Sequence, residues 1–212
     1  MSTNYNPRIV TDGLVFALDA ANSRSYSGTG TTWSDLSGNG NTGTLTNGPT
    51  YNSANAGSIV FDGVNDYVNC PTSKPASCTF SAWAKTTTLA SNPMLFNAGT
   101  NGGGPDLFFA SGVICWNIWD STANILTTTP ADVTDGNYHY YVVVNDASSN
   151  TKLYYGGALL GTATYRNASA NTNLTIGGNS VTYMWNGSIP NFSVHNRALT
   201  AAEVAQNFNA TR

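Results

Sequence analysis

Charge is what this chain has least of. Asp, Glu, Lys and Arg make up 9% of its 212 residues, against roughly 25% in ordinary soluble domains. The eight Lys and Arg are scattered and the net charge is −3. A phosphate backbone would find no basic patch to hold, which argues against nucleic acid as a partner. Glutamate is nearly missing, with Glu203 the single example. Cysteine is sparse and odd in number: Cys70, Cys78 and Cys115. They lack zinc-type spacing, so they read as free, half-buried thiols, a Cys70–Cys78 bridge being the weaker alternative. No apolar run approaches the 18 residues of a membrane helix, so membrane insertion is not expected. Met1 to Pro7 shows neither the basic nor the apolar part of a secretory signal, and we expect synthesis in a cytosol.

What fills the chain instead is Asn, Thr, Ser and Gly around a 41% apolar share. That is enough for one large β domain. We expect an N-terminal arm over residues 1–12 and a single domain over 13–212. Strand-like runs recur between Gly, Asn and Thr turns: Gly13 to Leu18, Ser58 to Phe61, Tyr67 to Cys70, Thr79 to Lys85, Gly112 to Trp119, Tyr138 to Val144 and Leu174 to Gly177, with Ser188 to His195 last. Lys152 to Tyr155 and Ala158 to Gly161 flank Gly156-Gly157. Two glycines accept positive φ at both central positions, so this pair predicts a tight hairpin. One helix is legible. Thr200-Ala201-Ala202-Glu203 is a capping box, and Val204 and Phe208 then share a face. Ala20 to Tyr51 has little strand character. It reads either as a functional loop or as a wrap along the edge of the domain, anchored by Trp33 and Leu36.

Hydrolysis of a glycoside needs two carboxyl groups, about 5 Å apart for retention and further for inversion. Glu203 already serves the capping box. The Asp62/Asp66 and Asp132/Asp135 pairs flank turns and do not share a strand face. His139 and His195 are separate and read as hydrogen-bonded structural residues. The Gly102-Gly103-Gly104-Pro105 run lacks the helix and lysine of a phosphate cradle. We therefore expect no enzyme. Asp35-Leu36-Ser37-Gly38-Asn39-Gly40-Asn41 offers one carboxylate with amide oxygens, from Asp35, Asn39 and Asn41, that could hold Ca2+. The same turn is equally explained by Asx hydrogen bonds. Five tryptophans could stack on sugars or fill a core. Trp83 and Trp116 sit in alternating strands and are expected inside. Trp33, Trp119 and Trp185 lie near turns and are the candidates for a glycan platform.

Two separated signatures belong together. Ile59-Val60-Phe61-Asp62-Gly63 with Asp66-Tyr67-Val68 comes early, and Trp185-Asn186-Gly187-Ser188-Ile189 with His195-Asn196-Arg197-Ala198-Leu199-Thr200 comes late. Their order and spacing resemble the LamG-like, concanavalin A-like family. The resemblance implies an all-β jelly-roll sandwich of two antiparallel sheets with one short C-terminal helix. It also implies frequent calcium, although Pro190-Asn191 stands where the family often has an acidic pair. Asn6-Pro7-Arg8-Ile9-Val10-Thr11-Asp12-Gly13-Leu14, Leu18-Asp19-Ala20-Ala21-Asn22 and Gly30-Thr31-Thr32-Trp33 narrow it further. They resemble LamG-like domains of tailed bacteriophage virion proteins. That likeness implies a virion component, either a capsid decoration or a tail or fibre subunit. Its partners would be other virion proteins held through the arm, cell-surface glycans and further copies of itself. The alternative is a free-standing carbohydrate-binding lectin.

Overall fold

The computed structural model describes residues 8–72, 74–90, 92–99, 105–110, 112–118, 126–128, 133–165, 173–179 and 182–212. In chain order the strands are β1 (Leu14–Asp19), β2 (Thr32–Trp33), β3 (Gly43–Thr46), β4 (Thr50–Asn52), β5 (Ser58–Asp62), β6 (Tyr67–Cys70), β7 (Cys78–Thr86) and β8 (Met94–Asn97). They continue as β9 (Pro105–Ala110), β10 (Val113–Ile118), β11 (Leu126–Thr128), β12 (His139–Asn145), β13 (Asn150–Tyr155), β14 (Ala158–Thr164), β15 (Leu174–Ile176) and β16 (Asn186–His195), and helix α1 (Ala201–Thr211) follows. Two antiparallel sheets result. The first runs β14-β13-β12-β7-β16-β5-β4, with β1 also paired to β16; the second runs β11-β10-β9-β8-β15-β6-β3-β2.

Alternation along the strands decides what lies between the sheets. Phe80, Ala82 and Ala84 of β7 point inward, as do Phe192 and Val194 of β16 and Tyr141 and Val143 of β12. Phe80 and Phe192 from the first sheet meet Phe96 and Trp116 from the second, with Phe80 and Phe96 ring centres 4.8 Å apart and Phe96 and Phe192 5.3 Å apart. Rings of this size bury large apolar areas and interlock at tilted angles, so this cluster clamps sheet to sheet. Cys70, Cys78 and Cys115 are all buried and unbridged. Burial pushes the Cys78 thiol up to about 12 and raises those of Cys70 and Cys115 as well. The Gly156-Gly157 turn has φ of 58° and 82°, the left-handed pair that a two-residue hairpin between β13 and β14 requires.

Strand β16 does the most pairing. Its first half, Asn186 to Ile189, lies against β5, and its second half, Asn191 to His195, lies against β1. The register against β7 breaks between Ser188 and Asn191. Pro190 occupies the break, and a proline has no N–H to give a ladder, so it is tolerated at such a bulge. The Pro190 carbonyl accepts instead from the Ala20 N–H at 2.8 Å.

Ala20 to Tyr51 is the wrap. It contributes β2 and β3 to one edge of the second sheet and begins β4 at an edge of the first. Asp35 pins it. Its Oδ1 accepts from the backbone N–H of Ala17 (2.9 Å) and Ser37 (2.8 Å), and its Oδ2 from the Ser37 hydroxyl (2.7 Å) and the Asn41 N–H (3.0 Å). Asn39 and Asn41 turn their Nδ2 groups to the Val15 carbonyl, at 3.3 and 3.0 Å. The turn is thus an Asx-type staple from the wrap onto β1. A carboxylate has about four lone-pair sites, and Asp35 has all of them engaged.

Outside the first sheet, α1 packs over a second apolar cluster of Tyr140, Val142, Val144, Tyr154, Leu199 and Val204. Thr200 Oγ1 accepts from the Glu203 N–H at 3.3 Å and Glu203 Oε2 accepts from the Thr200 N–H at 2.8 Å, the reciprocal capping box. Arg197 grips the same carboxylate with two nitrogens, at 3.0 and 2.6 Å. Residues 8–12 lie against this helix. The Val10 N–H donates to Asn207 Oδ1 (2.7 Å), and Gln206 Nε2 donates to the Arg8 carbonyl (2.7 Å). Residues 1–7 of the expected arm lie outside the described residues.

Two outcomes follow from these contacts. Glu203→Ala removes the cap partner, and we expect it to cost on the order of 1 kcal/mol. The Arg197 grip holds the Glu203 carboxyl down, to about 2 from an ordinary 4.5. A depressed carboxylate stabilises the fold above its unfolded value and loses that contribution as pH falls to the folded one. The difference in Tm between wild type and Glu203→Gln should therefore be full at pH 5 and shrink between about 4.5 and 2. Because the site is largely exposed, salt should shrink it as well. For Asp35, calorimetry in chelator and in millimolar calcium should give the same Tm, since ligation would first have to break four hydrogen bonds. A rise of several degrees in calcium would show the carboxylate free to exchange partners.

Candidate binding cleft

The residues singled out for sugar binding do not come together. Trp33 and Trp185 are fully buried in the inter-sheet core, each 0% exposed, which corrects their assignment to a platform. Trp119 lies outside the described residues. Trp116 is buried as expected. Trp83 is not in the inter-sheet core. Its neighbours Ala82 and Ala84 take that side of β7, which turns the indole to the outer face of the first sheet, half-buried beneath α1. Asp35, Asn39 and Asn41 form the staple described above, and Thr200 and Glu203 form the helix cap.

Trp83 stacks on Phe208 of α1 at 5.5 Å and 18°, and its Nε1–H donates to Thr211 Oγ1 at 2.7 Å. The ring is fixed by these two contacts and borders a cleft of about 630 Å3. Tyr138, Asp19, Asn55, Asn191 and Arg212 also line it. This volume is in the range that holds a small ligand. The Pro190 bulge explains Asn191. A bulge re-aims the side chain beside it, and Asn191 Oδ1 accepts from the Trp83 N–H at 3.3 Å, covering the interrupted ladder. Asp19 reaches the cleft from the end of β1. Burial raises its carboxyl, opposed by the Ala21 N–H that donates to Oδ1 at 2.9 Å. Lys85 lies over the Tyr138 ring at 4.7 Å. Aromatic faces beside fixed amide and carboxylate groups suit a ligand that is apolar on one side and hydroxylated on the other.

Groups suited to catalysis are dispersed. Asp106 of β9 is the most perturbed carboxyl, 0% exposed, and burial pushes it up to about 8 against the pull of Asn97. Its partners in register are Asn97 and Asn117, both amides, so no second carboxyl faces it across the sheet. Asp66 Oδ2 accepts from the Asp62 N–H at 3.1 Å and closes a turn. His139 sits between Asp135 Oδ1 (2.9 Å) and the Tyr155 hydroxyl (2.7 Å), and His195 Nε2 lies 2.9 Å from the Val10 carbonyl. Among the described residues, no three His, Cys, Asp or Glu side chains gather as a metal site.

No curated protein matches the chain. Its fold is shared with solved structures. The binding domain of Paraclostridial Mosquitocidal Protein 1 superposes with a TM-score of 0.75 at 17% identity, over 94% of this chain and 52% of that one. The binding domain of Botulinum neurotoxin DC in complex with rat synaptotagmin II gives 0.76 at 12%, over 96% and 52%. A botulinum neurotoxin type C structure, described by its dependence on two ganglioside molecules for cell entry, gives 0.75 at 15%, over 96% and 52%. This chain thus spans about half the length of each, and identities this low establish a common fold alone. A family model covers residues 62–205, from Asp62-Gly63 of the early signature through the whole of the late one. With two antiparallel sheets and one short C-terminal helix around that stretch, the chain belongs to the concanavalin A-like lectin/glucanases superfamily, in its laminin G-type branch.

Proposed function

We propose that this chain is a non-enzymatic binding module that takes glycans in the Trp83 cleft and serves as a structural component of a bacteriophage particle, a capsid decoration or a tail or fibre subunit. The observation that carries the binding role is the cleft itself. It joins an immobilised indole and a phenol to Asn191 and Asp19, so a sugar can pack its C–H groups on the ring surface that Phe208 and Lys85 leave to the cleft and set its hydroxyls on the amide and carboxylate. Similar folds include a neurotoxin binding domain in complex with SialylT and one described with gangliosides, which supports a glycan as the ligand class. The non-enzymatic reading rests on the isolation of Asp106 among amides.

The particle role rests on the likeness of the first forty residues to phage virion domains and on a low-charge, Asn- and Thr-rich composition. In this reading residues 1–7 dock onto other virion proteins, and the many copies on a lattice make modest single-site affinity sufficient. The cleft then meets cell-surface glycans.

Two experiments test the two halves separately. On a glycan array the recombinant chain should bind a defined subset of sugars. Asn191→Ala should weaken those signals by about tenfold, the worth of one good hydrogen bond in a shielded site, with unchanged circular dichroism. Equal binding by the variant would remove the cleft from the function. For docking, the chain lacking residues 1–7 should fold but fail to rebind particles stripped of it. Undiminished rebinding would rule out the arm. Failure of even the full chain to bind particles would favour a free-standing lectin.

A further inference from the structure

A second hollow, of about 330 Å3, adjoins the Trp83 cleft, and strand register fixes how the two lie. Asp19, Asn191 and Trp83 are neighbours across β1, β16 and β7 and floor the cleft. Ala17, Ser193 and Ser81 form the next outward row on the same strands and floor the hollow. Between the rows Leu18, Phe192 and Ala82 turn into the core. Two residues of strand, about 7 Å, separate the rows. Asp19 and Asn191 line both spaces, and Ala210 and Thr211 of α1 border both. The hollow thus continues from the cleft beneath the end of the helix.

The two spaces differ in what they offer. In the cleft, Asp19 Oδ1 accepts from the Ala21 N–H and Asn191 Oδ1 from the Trp83 N–H. Asp19 Oδ2 remains as an acceptor and Asn191 Nδ2 as a donor, on adjacent strands, and neither atom is sealed from solvent. Sugar hydroxyls both give and accept, so they satisfy the two together. In the hollow, Ile9, Leu14 and Leu36 are apolar walls, and the Leu36 N–H donates to the Ala17 carbonyl at 2.8 Å. Ile9 is 39% exposed, which puts it at the mouth. The Ser81 and Ser193 hydroxyls lie 2.6 Å apart and bond to each other, which lowers their demand for an outside partner. Among the described residues, Asp19 brings the charge to this lining, at the boundary with the cleft, while burial lowers the His195 imidazole and favours its neutral form. A sugar alone would leave the apolar walls against water. An apolar group attached to the sugar would cover them.

We propose that the ligand is a glycoside with one uncharged apolar aglycone, its sugar over Asp19 and Asn191 and its aglycone beneath the end of α1, between Ala17, Leu36, Leu14 and Ile9. This rests on the glycan reading of the cleft and supplies the other half of the ligand. The aglycone is a single chain or ring, because the hollow has about half the volume of the cleft and the helix roofs it.

The test is calorimetric titration of the full chain with methyl and octyl β-glycosides of glucose, galactose and N-acetylglucosamine, all below micelle formation. Tetraethylene glycol monooctyl ether serves as the chain without a sugar. For at least one sugar the octyl glycoside should bind about a hundredfold more tightly than the methyl glycoside, a part of what full burial of seven methylenes would give. It should also bind at least about tenfold more tightly than the sugarless ether, the worth of one good hydrogen bond to the sugar. Ala17→Leu, which fills the floor of the hollow, should bring the octyl glycoside down to the methyl one and leave the methyl affinity unchanged. Ile9→Ser, at the exposed mouth, should lower the octyl affinity alone and decides the matter if Ala17→Leu does not fold. Equal affinity for octyl and methyl glycosides would overturn the proposal and leave the sugar cleft standing. An ether that binds as tightly as the octyl glycosides would overturn it too, since the sugar would then go unread. Binding by none of the probes would likewise overturn it, while the glycan array, with its wider range of sugars, decides separately on the cleft.

Discussion

The break at Pro190 in strand β16 is the constraint on which the molecule turns. A regular strand of this length would pair with one neighbour on each side throughout. The missing N–H lets β16 hold β5 with one half and β1 with the other, while β7 runs along its opposite side. Beyond the break Phe192 points into the core and meets Phe96. The same break exposes Asn191 on the outer face and sets Ser193 and His195 at alternate positions beyond it. Both hollows beneath α1 take Asn191 from this strand, beside polar groups from other elements such as Asp19 of β1.

Helix α1 is the second half of that arrangement. It is fastened at its start by the Thr200–Glu203 box and the Arg197 grip, and near its end by the Trp83–Phe208 stack. Without it the outer face of the first sheet would present Tyr140, Val142 and Val144 to water. The hydrophobic effect thus places the helix, and the hollows on that face are what the helix leaves uncovered.

The parts of the fold that were legible in the sequence are those where local chemistry and burial agree. The long strands alternate, and β6 ends where its apolar pattern ends. The helix start was legible because a capping box is a local device, complete within four residues. Strands β2, β3 and β4 were not, since Thr-, Gly- and Asn-rich runs acquire strand form only by pairing at a sheet edge. β8 and β9 escaped too: Met94 to Asn97 is short, and Asp106 interrupts an apolar run with a polar group that the structure buries. The tryptophans failed as a guide for a different reason. Alternation says that Trp83 faces away from Ala82 and Ala84, but only the three-dimensional partner of β7 says which side is the core. Trp33 and Trp185 sit near turns, and nearness to a turn does not decide exposure when the chain folds back over it. Asn191 in the cleft carried a faint signal, a proline beside an amide inside an otherwise regular strand.

The three thiols have a consequence for where such a protein can work. Each is buried, unbridged and held in its protonated form well above neutral pH, and the thiolate is the species that oxidants and disulfides attack. The native fold neither needs an oxidising environment to close a bridge nor suffers in one from losing a thiol. A chain built this way keeps the same covalent structure under reducing and under oxidising conditions.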